Sequence, residues 1–86
     1  MKQFIATIND PAGMHARPAG ELVKLVKTFA GCIISLDNGA RKVNANSILS
    51  ILSLGLKKGA QITVCAEGEN EDAAIDAVKE FLLNLK

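Results

Sequence analysis

Aromatic residues and an excess of one charge are what this chain of 86 residues most clearly lacks. Tryptophan and tyrosine are absent, phenylalanine occurs three times, and ten lysines and arginines stand against nine aspartates and glutamates. Proteins that bind nucleic acids usually present a basic surface, often with aromatic side chains on which bases stack. The composition therefore argues against a nucleic-acid-binding α+β domain and predicts a core of aliphatic side chains.

Long apolar runs are also missing. No stretch of about 18 apolar residues exists, which excludes a transmembrane helix. The N-terminal residues Met1-Lys2-Gln3-Phe4 do not lead into a long apolar segment with a cleavage site, as a secretory signal would. We therefore expect a cytoplasmic protein that does not insert into membranes.

The two cysteines, Cys32 and Cys65, are far apart and fit neither a C-x-x-C motif nor a zinc-binding pattern. Each lies in an apolar, strand-like stretch, which favours a buried, reduced thiol over a disulfide or redox role. The single histidine has no cysteine, aspartate or glutamate at ligand spacing. We therefore expect no metal and no cofactor.

Hydrophobic periodicity predicts one domain over residues 1–86. The predicted strands are Lys2 to Ile8, Cys32 to Leu36, Arg41 to Val43 and Ala60 to Glu67, and the predicted helices are Ala16 to Phe29, Ile48 to Leu54 and Glu71 to Leu85. Asp37-Asn38-Gly39 is typical of a hairpin turn. This order favours an α+β fold of two layers, in which helices cover one face of an antiparallel sheet.

The histidine lies in Gly13-Met14-His15-Ala16-Arg17-Pro18-Ala19-Gly20, where the first strand gives way to the first helix. A lone histidine at a helix start is often only a capping or surface residue. Three neighbouring residues favour a chemical role for this histidine. Gly13 permits a tight turn, Arg17 offers a planar donor fork suited to phosphate oxygens, and Pro18 fits the first helical turn, where its missing N–H is not needed.

If His15 is the N-cap, the free amides of Ala16 and Arg17 point towards its ring. The positive end of a helix disfavours an imidazolium and favours a bound anion. We therefore expect a mostly neutral ring, whose free nitrogen is a nucleophile for phosphoryl transfer. With no nucleotide loop or second general base nearby, the site is suited to receive and donate a phosphoryl group rather than to run a reaction alone.

At these residues the chain resembles HPr, the histidine-containing phosphocarrier family of the bacterial phosphoenolpyruvate-dependent sugar phosphotransferase system. The resemblance extends to Ser47-Ile48-Leu49-Ser50-Ile51-Leu52-Ser53-Leu54-Gly55, Lys58-Gly59 and Ala66-Glu67-Gly68. It implies an open-faced sandwich of four antiparallel strands covered on one face by three helices. It also implies that His15 accepts phosphate on Nδ1 from enzyme I and passes it to sugar-specific enzyme IIA domains, with Arg17 helping to hold the phosphate.

The family also has a second phosphorylation position, which Ser47 occupies here. In members from low-GC Gram-positive bacteria, HPr kinase/phosphorylase modifies this serine, and the product binds a catabolite-control transcription regulator. A phosphate is well accommodated at a helix N-terminus. The alternative is that Ser47 serves only as the N-cap of a helix. Asn46 stands where the family usually has lysine, and it could itself be the cap. The segment from His15 to Ser47 is one residue longer than is usual in the family. The extra residue lies either near Ala30-Gly31 or in the Asn38-Gly39-Ala40 turn.

The resemblance also leads us to expect a small apolar docking patch for partners. Its candidate members are Met14, Gly20, Ile48, Leu49 and Leu52, whereas Ile51 and Leu54 are expected in the core. Two other functions stay open: a regulatory module like the Crh-type relatives, which lack the histidine, and a carrier in a paralogous phosphorelay for nitrogen control or dihydroxyacetone metabolism.

Overall fold

A computed structural model describes residues 2–84 of the chain and shows four strands and three helices. The strands are β1 (Lys2–Thr7), β2 (Cys32–Asp37), β3 (Lys42–Asn44) and β4 (Gln61–Gly68), and the helices are α1 (Ala16–Lys27), α2 (Ile48–Leu52) and α3 (Glu71–Leu83). The order strand, helix, strand, strand, helix, strand, helix is the predicted one. Leu85, predicted to lie on the apolar stripe of the last helix, falls outside the described residues.

All neighbouring strands of the single sheet are antiparallel, in the order β1-β4-β2-β3. Alternate side chains of each strand point towards the helices, as shown by the burial of Ile34 and Leu36 in β2 and of Ile62 and Val64 in β4. On the opposite face the described residues form no helix, and the side chain of Ile5 is 70% exposed there. The α+β sandwich with one open face is therefore confirmed.

The core is aliphatic, as the composition predicts. Leu22, Ile51, Val78 and Leu82 bring the three helices together over the sheet, and each is almost wholly buried. Cys32 and Cys65 are both free and buried, which confirms the prediction for the thiols. Burial raises the pKa of the Cys32 thiol, and the nearby charge of Glu71 acts in the same direction.

Helix α1 is shorter than predicted, ending at Lys27 instead of Phe29. Its last turn tightens, because Thr28 and Phe29 donate their amides to the carbonyls three residues earlier, those of Leu25 and Val26. Phe29 nevertheless packs against the core. The apolar pattern therefore located the buried face of this helix correctly but not its end.

Strand β3 begins one residue later than predicted, because the hairpin turn takes up Arg41. The side-chain carbonyl of Asn38 accepts hydrogen bonds from the amides of Ala40 and Arg41 at 2.9 and 2.8 Å. The same side chain donates to the carbonyl of Leu54 at 3.2 Å. One asparagine thus fixes the turn and ties it to the segment that follows α2.

Candidate functional site

The loop that precedes α1 is fixed by close contact with a second loop. Gly13 adopts φ +73°, and a Cβ built on it would lie 2.4 Å from the carbonyl oxygen of Leu56 and 2.8 Å from Cα of Lys57. The amide of Met14 donates to that same carbonyl at 2.9 Å. A glycine is therefore required here on two counts, conformation and space. The predicted tight turn at Gly13 is confirmed.

His15 is the N-cap of α1, with an extended backbone (φ −94°, ψ −172°) and no side-chain capping hydrogen bond. Its side chain is 45% exposed. The imidazole thus stands at the surface, accessible from solvent. The prediction of the N-cap position is confirmed.

The backbone at this helix start offers two amides. The first intrahelical hydrogen bond runs from the amide of Ala19 to the carbonyl of His15 at 3.1 Å. Pro18, which has no N–H, lies in the first turn, as predicted, and its side chain is buried. Within the described part of the chain, the amides of Ala16 and Arg17 donate to no backbone or side-chain acceptor. They remain available to an anion beside the ring of His15.

Arg17 follows on the same turn, with its side chain 85% exposed. Its Nε lies 3.6 Å from Oε1 of Glu21, one helical turn along. An exposed pair of this kind is weak, worth about 0–1 kcal/mol, so the guanidinium can leave it for another anion. The spacing of four residues could have predicted the pair from sequence.

Asp10 is the member of the site that sequence reasoning missed. Its Oδ2 lies 3.7 Å from Nε2 of His15, and its side chain is only 13% exposed. The other carboxylate oxygen accepts the amide of Ala12 at 2.8 Å. An aspartate that folds the chain back on itself can nevertheless reach a residue five positions later.

Ser47 is the N-cap of α2, and its hydroxyl accepts the amide of Ser50 at 3.4 Å. Asn46 is not the cap. It precedes the cap in a short turn, where its amide donates to the side chain of Asn44 at 3.0 Å. Of the two candidates for the cap, the structure therefore selects Ser47.

The predicted docking residues fall into two groups. Gly20 lies against α2, since a Cβ built on it would be 3.7 Å from Cδ1 of Ile48. Leu49 is 80% exposed, Ile48 is partly exposed and Leu52 is half-buried. Met14, by contrast, is only 4% exposed and belongs to the core cluster. Its burial argues against direct contact with a partner.

Among the residues that the structure describes, no group of three or more histidine, cysteine, aspartate or glutamate side chains could hold a metal ion. Over the same residues, no helix is long and apolar enough to cross a membrane.

Comparison with known proteins identifies the family. Residues 2–84 match the family described as PTS HPr component phosphorylation site. The phosphocarrier protein HPr of Lysinibacillus sphaericus is 40% identical over 85 residues, which cover 99% of this chain and 96% of that protein. The chain therefore belongs to the HPr family, phosphocarriers of the phosphotransferase system rather than enzymes. The resemblance seen in the sequence is confirmed.

Solved structures agree with this family and its fold. The crystal structure of HPr-C-His from Thermoanaerobacter tengcongensis has a TM-score of 0.91 and 36% identity, covering 96% of this chain and 92% of that one. The Bacillus subtilis catabolite-repression protein Crh, solved as a domain-swapped dimer, has a TM-score of 0.77 and 30% identity, covering 96% and 94%. The family implies partners within the phosphotransferase system.

Proposed function

We propose that His15 carries the phosphoryl group, accepting it on Nδ1 from enzyme I and passing it to enzyme IIA domains in the cytoplasm. The observation that carries this proposal is an exposed imidazole at the N-cap of α1 with two free amides following it. A phosphorylated ring would place its negative charge beside the amides of Ala16 and Arg17, at the positive end of the helix.

The weakness of each contact suits a carrier. The helix start contributes about 0.3–1 kcal/mol towards holding an anion, and the guanidinium of Arg17 must leave Glu21 to add its own hydrogen bonds. Such forces orient a phosphoryl group without holding it so firmly that it could not be passed on. Arg17 and the two amides therefore hold the group, and His15 forms the covalent bond.

Partner docking is assigned to an apolar patch formed by Gly20, Ile48, Leu49 and Leu52, which we call the α1–α2 patch. It joins α1, the helix capped by His15, to the exposed side of α2. An exposed leucine on a helix of five residues contributes little to the core, and apolar surface of this kind is typical of a small protein interface. Rapid exchange of partners requires such a small interface.

Incubation with enzyme I and phosphoenolpyruvate, followed by measurement of the intact mass, tests the carrier function. We expect one added phosphate that is lost in acid, as phosphohistidine is, and that is absent in His15→Ala. Ser47→Ala serves as the matched control and should still take up the acid-labile phosphate. An acid-stable adduct, or none, would contradict the proposal.

A second function, regulation through Ser47, is favoured by one observation. Ser47 caps the helix that carries Ile48 and Leu49 of the α1–α2 patch. Phosphorylation there by an HPr kinase/phosphorylase would add about −1.5 to −2 charges beside apolar docking residues. Partners that need the patch would then bind more weakly, whereas a catabolite-control regulator with basic side chains would bind better. Incubation with the kinase and ATP should give an acid-stable phosphate that Ser47→Ala lacks, and Asn46→Lys should accelerate the reaction.

A further inference from the structure

The carboxylate of Asp10 is held rigidly by its own turn. Its Oδ1 accepts the amide of Ala12 at 2.8 Å, and its backbone carbonyl accepts the amide of Gly13 at 2.8 Å. The second oxygen, Oδ2, is left facing His15 at 3.7 Å from Nε2. Because the aspartate side chain is only 13% exposed, solvent screens this contact less than it would a surface ion pair.

This contact distinguishes the two ring nitrogens. A neutral imidazole bears one proton, on either Nδ1 or Nε2, and the nitrogen without it has the free lone pair. The distance of 3.7 Å is too long for a hydrogen bond, so the contact acts through charge. A negative oxygen closest to Nε2 stabilises the form that has its proton on Nε2.

We propose that Asp10 is a positioning residue for phosphoryl transfer, which keeps the proton of His15 on Nε2 and leaves the lone pair of Nδ1 free. This inference rests on the proposed function of His15 and adds a residue to it. Asp10 itself does not contact the phosphoryl group; it acts through the ring.

The transfer step gives the carboxylate a second effect. The lone pair of Nδ1 forms the new N–P bond while the donor's bond to phosphorus breaks and its electron pair returns to the donor. The ring then holds phosphorus on Nδ1 and a proton on Nε2, and so becomes positive. Asp10, next to Nε2, stabilises that charge. In the onward transfer the N–P electron pair returns to Nδ1.

A second carboxylate near the site does not take this role. Glu21 pairs with Arg17 at 3.6 Å, on the exposed side of α1. Among the ion pairs of the described residues, Asp10 alone supplies a carboxylate to His15. The two acidic residues therefore act on different groups, Asp10 on the nucleophile and Glu21 on the guanidinium.

The test is Asp10→Asn, which retains the side-chain carbonyl needed by the turn and removes the negative charge. Asp37→Asn is the matched control, because Oδ1 of Asp37 accepts the amide of Gly39 at 2.8 Å in the same kind of turn. Nitrogen-15 NMR reports the two ring nitrogens without ambiguity, since the chain has one histidine.

We expect the ratio of the Nε2–H to the Nδ1–H form to fall about two- to five-fold in Asp10→Asn, the range for a single charge pair at a partly exposed site. The rate of phosphorylation by enzyme I should fall by a similar factor. Asp37→Asn should change neither quantity. If Asp10→Asn fails to fold, Asp10→Ser preserves an acceptor for the turn and serves in its place.

The outcomes separate this inference from the function on which it rests. An unchanged ratio in Asp10→Asn, with a wild-type protein that is phosphorylated normally, overturns the role of Asp10 alone. A changed ratio with an unchanged rate of phosphorylation also overturns it. A wild-type protein that takes no phosphate overturns the proposed function and this inference together.

Discussion

The carbonyl oxygen of Leu56 occupies the space that a side chain at Gly13 would need. The two residues lie in different loops, and a Cβ on Gly13 would come within 2.4 Å of that oxygen. The same carbonyl accepts the amide of Met14 at 2.9 Å. The position of His15, the next residue, thus depends on contact between loops that are more than forty positions apart in the chain.

Replacement of Gly13 by alanine should therefore cost more stability than its backbone angle alone explains. A left-handed conformation costs an alanine about 1–2 kcal/mol, and displacement of Leu56 should add roughly 1–3 kcal/mol. Gly39→Ala is the matched control, because Gly39 has φ +95° with no atom within 4 Å of an added Cβ. Urea unfolding of both variants measures the difference. Equal losses would show that the contact with Leu56 is unimportant.

Arg17→Ala should slow phosphorylation strongly and leave the fold intact. A hydrogen bond to a charged group contributes about 1.5–3 kcal/mol, so we expect a loss of roughly ten-fold or more in the rate of transfer. The exposed pair with Glu21 contributes at most about 1 kcal/mol to stability. Lys24→Ala, on the exposed side of the same helix, is the control and should keep a normal rate. A similar loss in both variants would point to general charge instead of a phosphate contact.

Leu49→Glu should slow transfer by about ten-fold, since a side chain at the centre of an interface contributes more than 1 kcal/mol. Its stability should stay within about 0.5 kcal/mol of the wild type, because Leu49 is largely exposed. Ile5→Glu is the control, because it makes the same chemical change at an exposed position on the open face of the sheet. Rates of transfer from enzyme I to both variants test the α1–α2 patch, and an unchanged rate in Leu49→Glu would remove this residue from it.

Ser47→Ala should lower the free energy of unfolding by about 0.5–1 kcal/mol, because the cap of α2 is lost. The value lies at the lower end of the usual range, since the capping contact is long at 3.4 Å. Ser47→Asp keeps an acceptor at the cap and should retain the stability of the wild type. Urea unfolding at pH 7 compares the three proteins. Equal stability of all three would mean that the hydroxyl contributes nothing as a cap.

Stability should decline at alkaline pH because of Cys32. Burial raises the pKa of this thiol in the folded protein. From about pH 8.5 upward the thiol loses its proton in the unfolded chain first, so the folded state binds more protons and the free energy of unfolding falls as pH rises. Cys32→Ala lacks this contribution and should show a shallower decline between pH 8 and pH 10. Parallel curves would contradict the assignment.

Much of the fold could be predicted because periodicity and turn signals are local. The apolar spacing located the buried faces of α1 and α3, and Asp37-Asn38-Gly39 located the hairpin. The ends of the helices and strands were predicted less accurately. Arg41 belongs to a turn because Asn38 binds its amide, a contact that an apolar pattern does not reveal.

The candidate site shows the same division. His15 as N-cap, the turn at Gly13 and the place of Pro18 in the first helical turn all follow from residue type and order along the chain. Met14 and Leu49 could not be separated, since both are large, apolar and near the expected patch, yet one is buried and the other exposed. Only packing against other elements distinguishes them.

The sequence by itself determined the elements, their order, the helix start at His15 and the family, because these depend on neighbours within a few residues or on a contiguous motif. Tertiary structure alone decided the strand order β1-β4-β2-β3, the contact of Gly13 with Leu56 and the burial of Met14. It also fixed which nitrogen of His15 faces Asp10. Each of these depends on which groups meet in space, and the separation of those groups along the chain does not reveal it.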